Sequence, residues 1–121
     1  MREAQIIDPE ALERLREWGG DKLLSQMIRL FLKNAGARMD QIRNGVRNGD
    51  VSEAEQGAHS LKSSSANVGA ERVRALATRI EAAAVEGDVT TVSEALPEIE
   101  VAFAEAIAEL EAMEREFPDE S

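Results

Sequence analysis

The sequence predicts an all-α protein, an antiparallel up-down four-helix bundle with a short extra helix at its N-terminus. Its abundance of Ala, Glu, Leu and Arg, with few runs of β-branched residues, favours helix. Apolar residues recur at steps of three and four, which is the spacing of one helical face. Gly-Asp pairs, which suit the end of one helix and the cap of the next, divide the chain at Gly20-Asp21, Gly49-Asp50 and Gly87-Asp88.

These breaks divide the chain into five helical segments. Asp8 is a suitable N-cap for the first, with Pro9 in its first turn, and Asp50 begins an acidic capping box before the third. In the long second segment, residues 34–36 form a weak point where a kink or break would fall. Pro97 should bend the last segment. The predicted segments cover residues 8–17, 20–48, 50–66, 70–86 and 88–114.

The predicted domain organisation is a single bundle over residues 8–114. A lead-in of residues 1–7 precedes it, and an acidic tail of residues 115–121, expected to be disordered, follows it. The last helix carries a heptad-like apolar seam suited to antiparallel packing. The seam consists of Val92, Leu96, Ile99, Phe103, Ala106, Leu110 and Met113.

Composition excludes several classes of function. The net charge of −10 disfavours binding to nucleic acid or to anionic membranes. The absence of cysteine removes disulfides, thiolate metal sites and cysteine nucleophiles, and a single histidine disfavours most transition-metal sites. No apolar stretch is long enough for a signal peptide or a membrane span, so we expect a cytoplasmic protein.

The single histidine, His59, falls in the middle of the third predicted helix. Helical spacing puts it on one stripe with Lys62, Ser63 and Ala66, beside the core stripe, so the imidazole should face solvent. Because Ser63 and Ala66 are small, this face is flat and allows another protein to approach closely.

Charge is distributed unevenly along the chain. Residues 59–80 contain four cations, Lys62, Arg72, Arg74 and Arg79, against the single acid Glu71, so this segment carries about +3 within an acidic protein. Such a segment suits a phosphate anion or an acidic partner surface. On these grounds alone the role of His59 stays open, because a lone helical histidine is more often an ordinary surface or boundary residue.

The run AHSLKSSSANVGA at residues 58–70 resembles the signature of histidine-containing phosphotransfer (HPt) domains of two-component phosphorelays. In that family the pattern is Ala-His-x-Leu-Lys-Gly, then small residues, then a glycine ten residues after the histidine, where Gly69 stands here. The resemblance extends over residues 8–114. One position departs from it, because Ser63 stands where the family usually has glycine.

The resemblance implies a role for individual residues. His59 matches the phosphorylated histidine, Lys62 the lysine that interacts with the phosphoryl group, and Glu81 the acid or amide that hydrogen-bonds the ring. Gly69 matches the glycine that ends the histidine helix. Together with Ser63 and Ala66 it is assigned to the face that docks a receiver domain.

The implied function is that of a reversible phosphocarrier in a His-Asp relay. His59 would take phosphate from a receiver aspartyl-phosphate and pass it to another receiver. Partners would be response-regulator receivers and a hybrid sensor kinase, and a monomer is the simplest expectation. No nucleotide-binding motif is visible, so we expect no kinase activity and no cofactor, with Mg²⁺ on the receiver.

Two rival hypotheses remain. In the first, the bundle docks a receiver or kinase without carrying phosphate, and Ser63 is the feature that favours it. The second is a metal-binding bundle. It is weakened because Gln56, three residues before His59, does not form the Glu-x-x-His pair of such sites.

Overall fold

The computed structural model describes residues 5–117 and confirms a four-helix architecture. Connections of two or three residues join consecutive helices and make neighbours antiparallel. Each helix packs on the next, and α1 also packs on α4, which closes the bundle. The helices are α1 (Pro9–Asn48), α2 (Val51–Val68), α3 (Glu71–Val85) and α4 (Val89–Glu114).

Helix α1 contains the predicted short N-terminal helix, separated from the long one by a break at a glycine pair. Gly19 has φ −148° and ψ 17°, and Gly20 has φ 68° and ψ −168°, so helical geometry is lost at both residues. The weak point expected at residues 34–36 stays helical. Ala35 and Met39 are buried there, so packing outweighs the low helix propensity of that stretch.

Aspartates cap three of the helix starts. The side chains of Asp8, Asp50 and Asp88 each accept a hydrogen bond from a backbone N–H in the following turn, at 3.0 to 3.1 Å. Asp21 does not cap a helix but pairs with Arg16, because α1 resumes directly after the glycine break.

The buried face of α4 differs from the predicted seam. Ala95 and Ala102 are buried, whereas Leu96, Phe103 and Met113 are only partly buried. The small residues form the centre of the contact and the large ones its margin. Helix α4 runs through Pro97, which is exposed near its N-terminal end.

Helices α1 and α2 approach each other at backbone level. A Cβ atom added at Gly57 would lie 2.9 Å from the carbonyl oxygen of Arg38 and 3.0 Å from Cγ1 of Ile42. These distances leave no room for a side chain. The contact fixes α2 against α1 two residues before His59.

The structure describes part of each flank of the predicted domain, residues 5–7 and 115–117. In the lead-in, Ile7 is buried and Ile6 packs against the core. Residues 115–117, expected to be disordered, form a turn whose Phe117 packs on the core, while residues 1–4 and 118–121 lie outside the described residues. None of the helices within residues 5–117 combines the length and apolarity needed to cross a bilayer.

Candidate functional site: the His59 face of α2

His59 projects from the middle of α2 into solvent, as its helical stripe predicts. Its side chain is 64% exposed. The adjacent Ala58 is completely buried, and Leu61 is buried on the same inner side. The core side of α2 therefore holds the helix in place while the imidazole stays accessible to another molecule.

Glu81 of α3 joins His59 and Lys62. One carboxylate oxygen, Oε2, lies 2.6 Å from Nδ1 of His59, and the other, Oε1, accepts a hydrogen bond from Nζ of Lys62 at 2.5 Å. A carboxylate is suited to this because it offers acceptor sites on both oxygens. Nδ1 is thus occupied by Glu81, and Nε2 makes no hydrogen bond to any residue in the range 5–117.

The electrostatics of the site favour an ionised Glu81. The hydrogen bond from Lys62 lowers the pKa of this carboxyl below its ordinary value, and the bond with His59 acts in the same direction against partial burial. Its side chain is only 18% exposed, so these interactions are less screened than those of surface ion pairs. Glu81 is therefore a stable anion at neutral pH.

The residues assigned to the docking face occupy different environments. Ser63 and Ala66 are exposed on the His59 side of α2. The hydroxyl of Ser63 donates a hydrogen bond of 3.3 Å to the backbone carbonyl of His59, one turn back along the helix. The serine hydroxyl is thus bonded to its own helix. This limits how far it projects towards a partner.

The assignment of Gly69 to the docking face is wrong, because this residue is buried. It ends α2 with φ 72°, as the resemblance implies, and its carbonyl accepts a 2.7 Å bond from the Asp8 N–H. A Cβ atom there would lie 2.8 Å from the Asp8 carbonyl oxygen and 2.9 Å from Cβ of Ala11. Gly69 therefore docks the N-terminal segment onto the end of α2.

The basic segment at residues 59–80 is neutralised in the fold. Lys62 pairs with Glu81, one residue beyond that window, and Arg74 pairs with Glu71 within it. The remaining arginines are compensated by α4. Their pairs are Arg72–Glu105 at 2.7 Å and Arg79–Glu98 at 2.9 Å. A count of charge along the sequence missed these acids, which lie far along the chain but close in space.

Metal-ligating side chains do not cluster around His59. Across residues 5–117, no group of three or more His, Asp and Glu side chains is arranged to hold an ion. The side chain of His59 instead contacts the carboxylate of Glu81 and solvent.

Sequence reasoning missed two features near the site. Gly57 sets the distance between α1 and α2. The sequence could have indicated this, because a glycine in the interior of a helix is unfavourable unless packing requires it. Trp18 is 73% exposed on the N-terminal segment of α1, at the edge of the surface that includes Ala66. Its signal was a large aromatic residue directly before a glycine pair.

Comparison with known proteins agrees with this geometry. The Hpt domain family model matches residues 26–117. The fold is similar to the crystal structure of histidine-containing phosphotransfer protein B (HptB) from Pseudomonas aeruginosa PAO1. That likeness has a TM-score of 0.87 at 21% sequence identity and covers 96% of this chain and 100% of that one. No curated protein gives a significant sequence match. The chain therefore belongs to the Hpt domain family, the histidine-containing phosphocarriers of phosphorelays that work with response-regulator receivers.

Proposed function

We propose that His59 accepts a phosphoryl group from the aspartyl-phosphate of one receiver domain and passes it to another, reversibly. The observation that carries this proposal is the shared carboxylate of Glu81, which holds Nδ1 of the ring and the ammonium of Lys62 while the His59 side chain stays 64% exposed. One anion thus orients both the nucleophile and a cation beside it.

In the forward step, the lone pair of Nε2 attacks the phosphorus of the aspartyl-phosphate. The N–P bond forms, the P–O bond to the aspartyl carboxylate breaks, and that carboxylate leaves with the bonding electron pair. The ring keeps its proton on Nδ1 and becomes cationic, and the Glu81 carboxylate 2.6 Å away stabilises this charge. Lys62, on a flexible stem, neutralises charge on the phosphoryl oxygens.

In the reverse step, the same Nδ1 proton makes the ring a good leaving group. An aspartyl carboxylate oxygen of the receiving domain attacks the phosphorus, the new P–O bond forms as the N–P bond breaks, and the bonding electron pair returns to Nε2, so that neutral imidazole departs. Without that proton the departing group would be an imidazole anion, which leaves much less readily. Glu81 therefore supports transfer in both directions by holding the proton in place.

The proposed carrier has no kinase activity and no cofactor of its own. The Mg²⁺ that assists transfer belongs to the receiver, whose acidic pocket holds it. We place the protein in the cytoplasm as a monomer, with receivers and a hybrid sensor kinase as partners. Light scattering on the purified protein checks its oligomeric state, and incubation with ATP alone should leave it unlabelled.

A phosphotransfer profile tests the proposal. Each receiver domain of the source organism is phosphorylated with acetyl phosphate and mixed with the protein, and acid-labile phosphate on the protein is measured. At least one receiver should label the wild type, and none should label His59→Gln, which lacks the ring nucleophile. Equal labelling of His59→Gln, or no labelling of the wild type by any receiver, would overturn the proposal.

A further inference from the structure

We propose that Ser63 is a further phosphoryl-binding residue, whose hydroxyl donates a hydrogen bond to the phosphoryl group carried on Nε2 of His59. This inference rests on the proposed function and adds a group to the same site. In the free protein the hydroxyl is bonded to its own helix. That bond is a resting position, which the hydroxyl leaves when the phosphoryl group arrives.

The position of the hydroxyl is the first observation. Oγ of Ser63 lies 3.3 Å from the backbone carbonyl oxygen of His59, so it is already beside the turn that carries the histidine. A helical side chain leans towards the N-terminus of its helix, and Ser63 therefore leans towards His59. Residues at this spacing have Cβ atoms about 5–6 Å apart, and both side chains are exposed. A phosphoryl group on the ring is within reach of this hydroxyl.

The neighbours of His59 lie on two different sides of the ring. Helical geometry turns Lys62 about 60° from His59 in one direction and Ser63 about 40° in the other. Glu81 contacts both Nδ1 of His59 and Nζ of Lys62, so α3 lies on the Lys62 side. Because the two nitrogens of an imidazole ring point in widely different directions, Nε2 is directed away from α3. A phosphoryl group on Nε2 is therefore displaced towards the side of Ser63.

The phosphoryl group needs more hydrogen-bond donors than Lys62 provides. It brings three strong acceptor oxygens to the site. The ammonium of Lys62 already donates to Oε1 of Glu81, and an ionised Glu81 can only accept. Ser63 supplies an O–H donor on the side of the ring that Lys62 does not occupy.

The present hydrogen bond of Ser63 is readily exchanged. Its length of 3.3 Å exceeds the length of about 2.7–2.8 Å that is usual for a bond between a hydroxyl and an oxygen. The His59 carbonyl also accepts the backbone N–H of Ser63 within α2, so it keeps a partner when the hydroxyl turns away. A charged phosphoryl oxygen is a stronger acceptor than a neutral carbonyl. Rotation about the Cα–Cβ bond thus replaces a weak bond with a stronger one.

A bond to the phosphoryl group changes the equilibrium of transfer, whereas a contact with the receiver changes only its rate. At concentrations below those that saturate docking, a docking contact speeds the forward and reverse steps equally. Only a group that distinguishes the phosphorylated from the free carrier shifts the equilibrium. Ser63 should therefore raise the ratio of phosphorylated carrier to phosphorylated receiver.

The test measures this ratio with a receiver that labels the wild type in the profile described above. Equilibrium is approached from phosphorylated receiver and, separately, from protein labelled with phosphoramidate and then freed of that donor. Ser63→Ala should lower the ratio by about 5-fold or more, as for the loss of a hydrogen bond to a charged group. Ser63→Thr keeps the hydroxyl and should stay within about twofold of wild type.

Ser64→Ala is the matched control. Oγ of Ser64 also donates to a carbonyl of its own helix, that of Leu61, at 3.3 Å. Helical geometry places Ser64 about 140° from His59 around α2, so its hydroxyl faces away from the ring. This variant should leave the ratio within about twofold of wild type. Thermal unfolding of each variant confirms that the bundle is intact.

The outcomes separate the two proposals. If Ser63→Ala reaches the wild-type ratio, even at a slower rate, its hydroxyl does not bind the phosphoryl group, while the proposed function stands. A loss in Ser63→Thr or Ser64→Ala as large as that in Ser63→Ala would likewise overturn the inference. If no receiver labels the wild type, the proposed function fails and the inference fails with it.

Discussion

The two faces of α2 are held in place by different kinds of interaction. Facing α1, Gly57 lets two backbones meet so closely that a single carbon atom would not fit. Facing solvent, His59 is 64% exposed and is held by a single hydrogen bond between Nδ1 and the carboxylate of Glu81. The inner face is rigid through packing, and the outer face is oriented through charge.

The contrast teaches that position and reactivity depend on different residues. Packing at Gly57 sets where α2 lies, and therefore where the imidazole projects, without touching the ring. Glu81 contacts Nδ1 of the ring and Nζ of Lys62 without contributing to the buried core. Substitutions on the inner face should therefore change mainly stability, and those on the outer face should change mainly transfer.

The largest expected effect concerns the outer face. Glu81→Ala should lower the rate of phosphoryl transfer to His59 by about 100-fold, the cost of removing one preorganised charge-stabilising group. Glu81→Gln should lower it about 10-fold, because an amide has one acceptor oxygen for two donors and turns its NH₂ towards one of them. Rapid-quench measurements with one receiver compare the variants. Unchanged transfer by Glu81→Ala would show that the carboxylate does not act on the ring.

The pH dependence of stability sharpens this prediction. The folded state holds the pKa of Glu81 below its ordinary value of 4.5, so the ionised carboxyl stabilises the fold above that value. This contribution is lost as the pH falls through the lowered pKa. The stability difference between wild type and Glu81→Gln should therefore shrink on acidification, as measured by urea unfolding between neutral and acidic pH.

The next effect concerns the inner face. Gly57→Ala should destabilise the protein by about 2 kcal/mol, because overpacking outweighs the gain in helix propensity. Gly36→Ala is the matched control. It too lies inside a helix, α1, but an added Cβ there meets nothing within 4 Å, so it should stabilise by about 0.5–1 kcal/mol. Chemical denaturation measures both, and equal effects would contradict the close approach at Gly57.

The smallest effect concerns a polar atom on the inner face. Ser65 is fully buried in α2, and its Oγ has no hydrogen-bond partner among the described residues. Ser65→Ala should stabilise the protein by up to about 1 kcal/mol, since an unsatisfied buried hydroxyl is removed with little change in volume. Phosphotransfer should be unaffected. Destabilisation in thermal unfolding would indicate that the hydroxyl has a partner in solution.

The sequence predicted the fold well where the signal is local. Caps at Asp50 and Asp88, the helix end at Gly49 and apolar periodicity all depend on neighbours within a few residues. It failed where packing decides. The stretch at 34–36 remains helical because buried residues on either side hold it.

The site was predictable to the same limit. Helical spacing predicted that His59 faces solvent. Spacing within α2 cannot show that Glu81 of α3 lies beside the ring, and that expectation came from the family resemblance. Spacing also could not reveal that Glu98 and Glu105 of α4 neutralise the basic segment, or that Gly69 is buried under Asp8. These contacts connect helices that are distant in sequence.

The exposed Trp18 also gives the protein an optical signal of its own. As the single tryptophan, it accounts for the indole fluorescence of the chain, and a solvated indole emits at long wavelength. Any tryptophan-free partner that covered this side chain would shift the emission to shorter wavelength. Association could thus be followed in real time without any label, separately from the chemistry at His59.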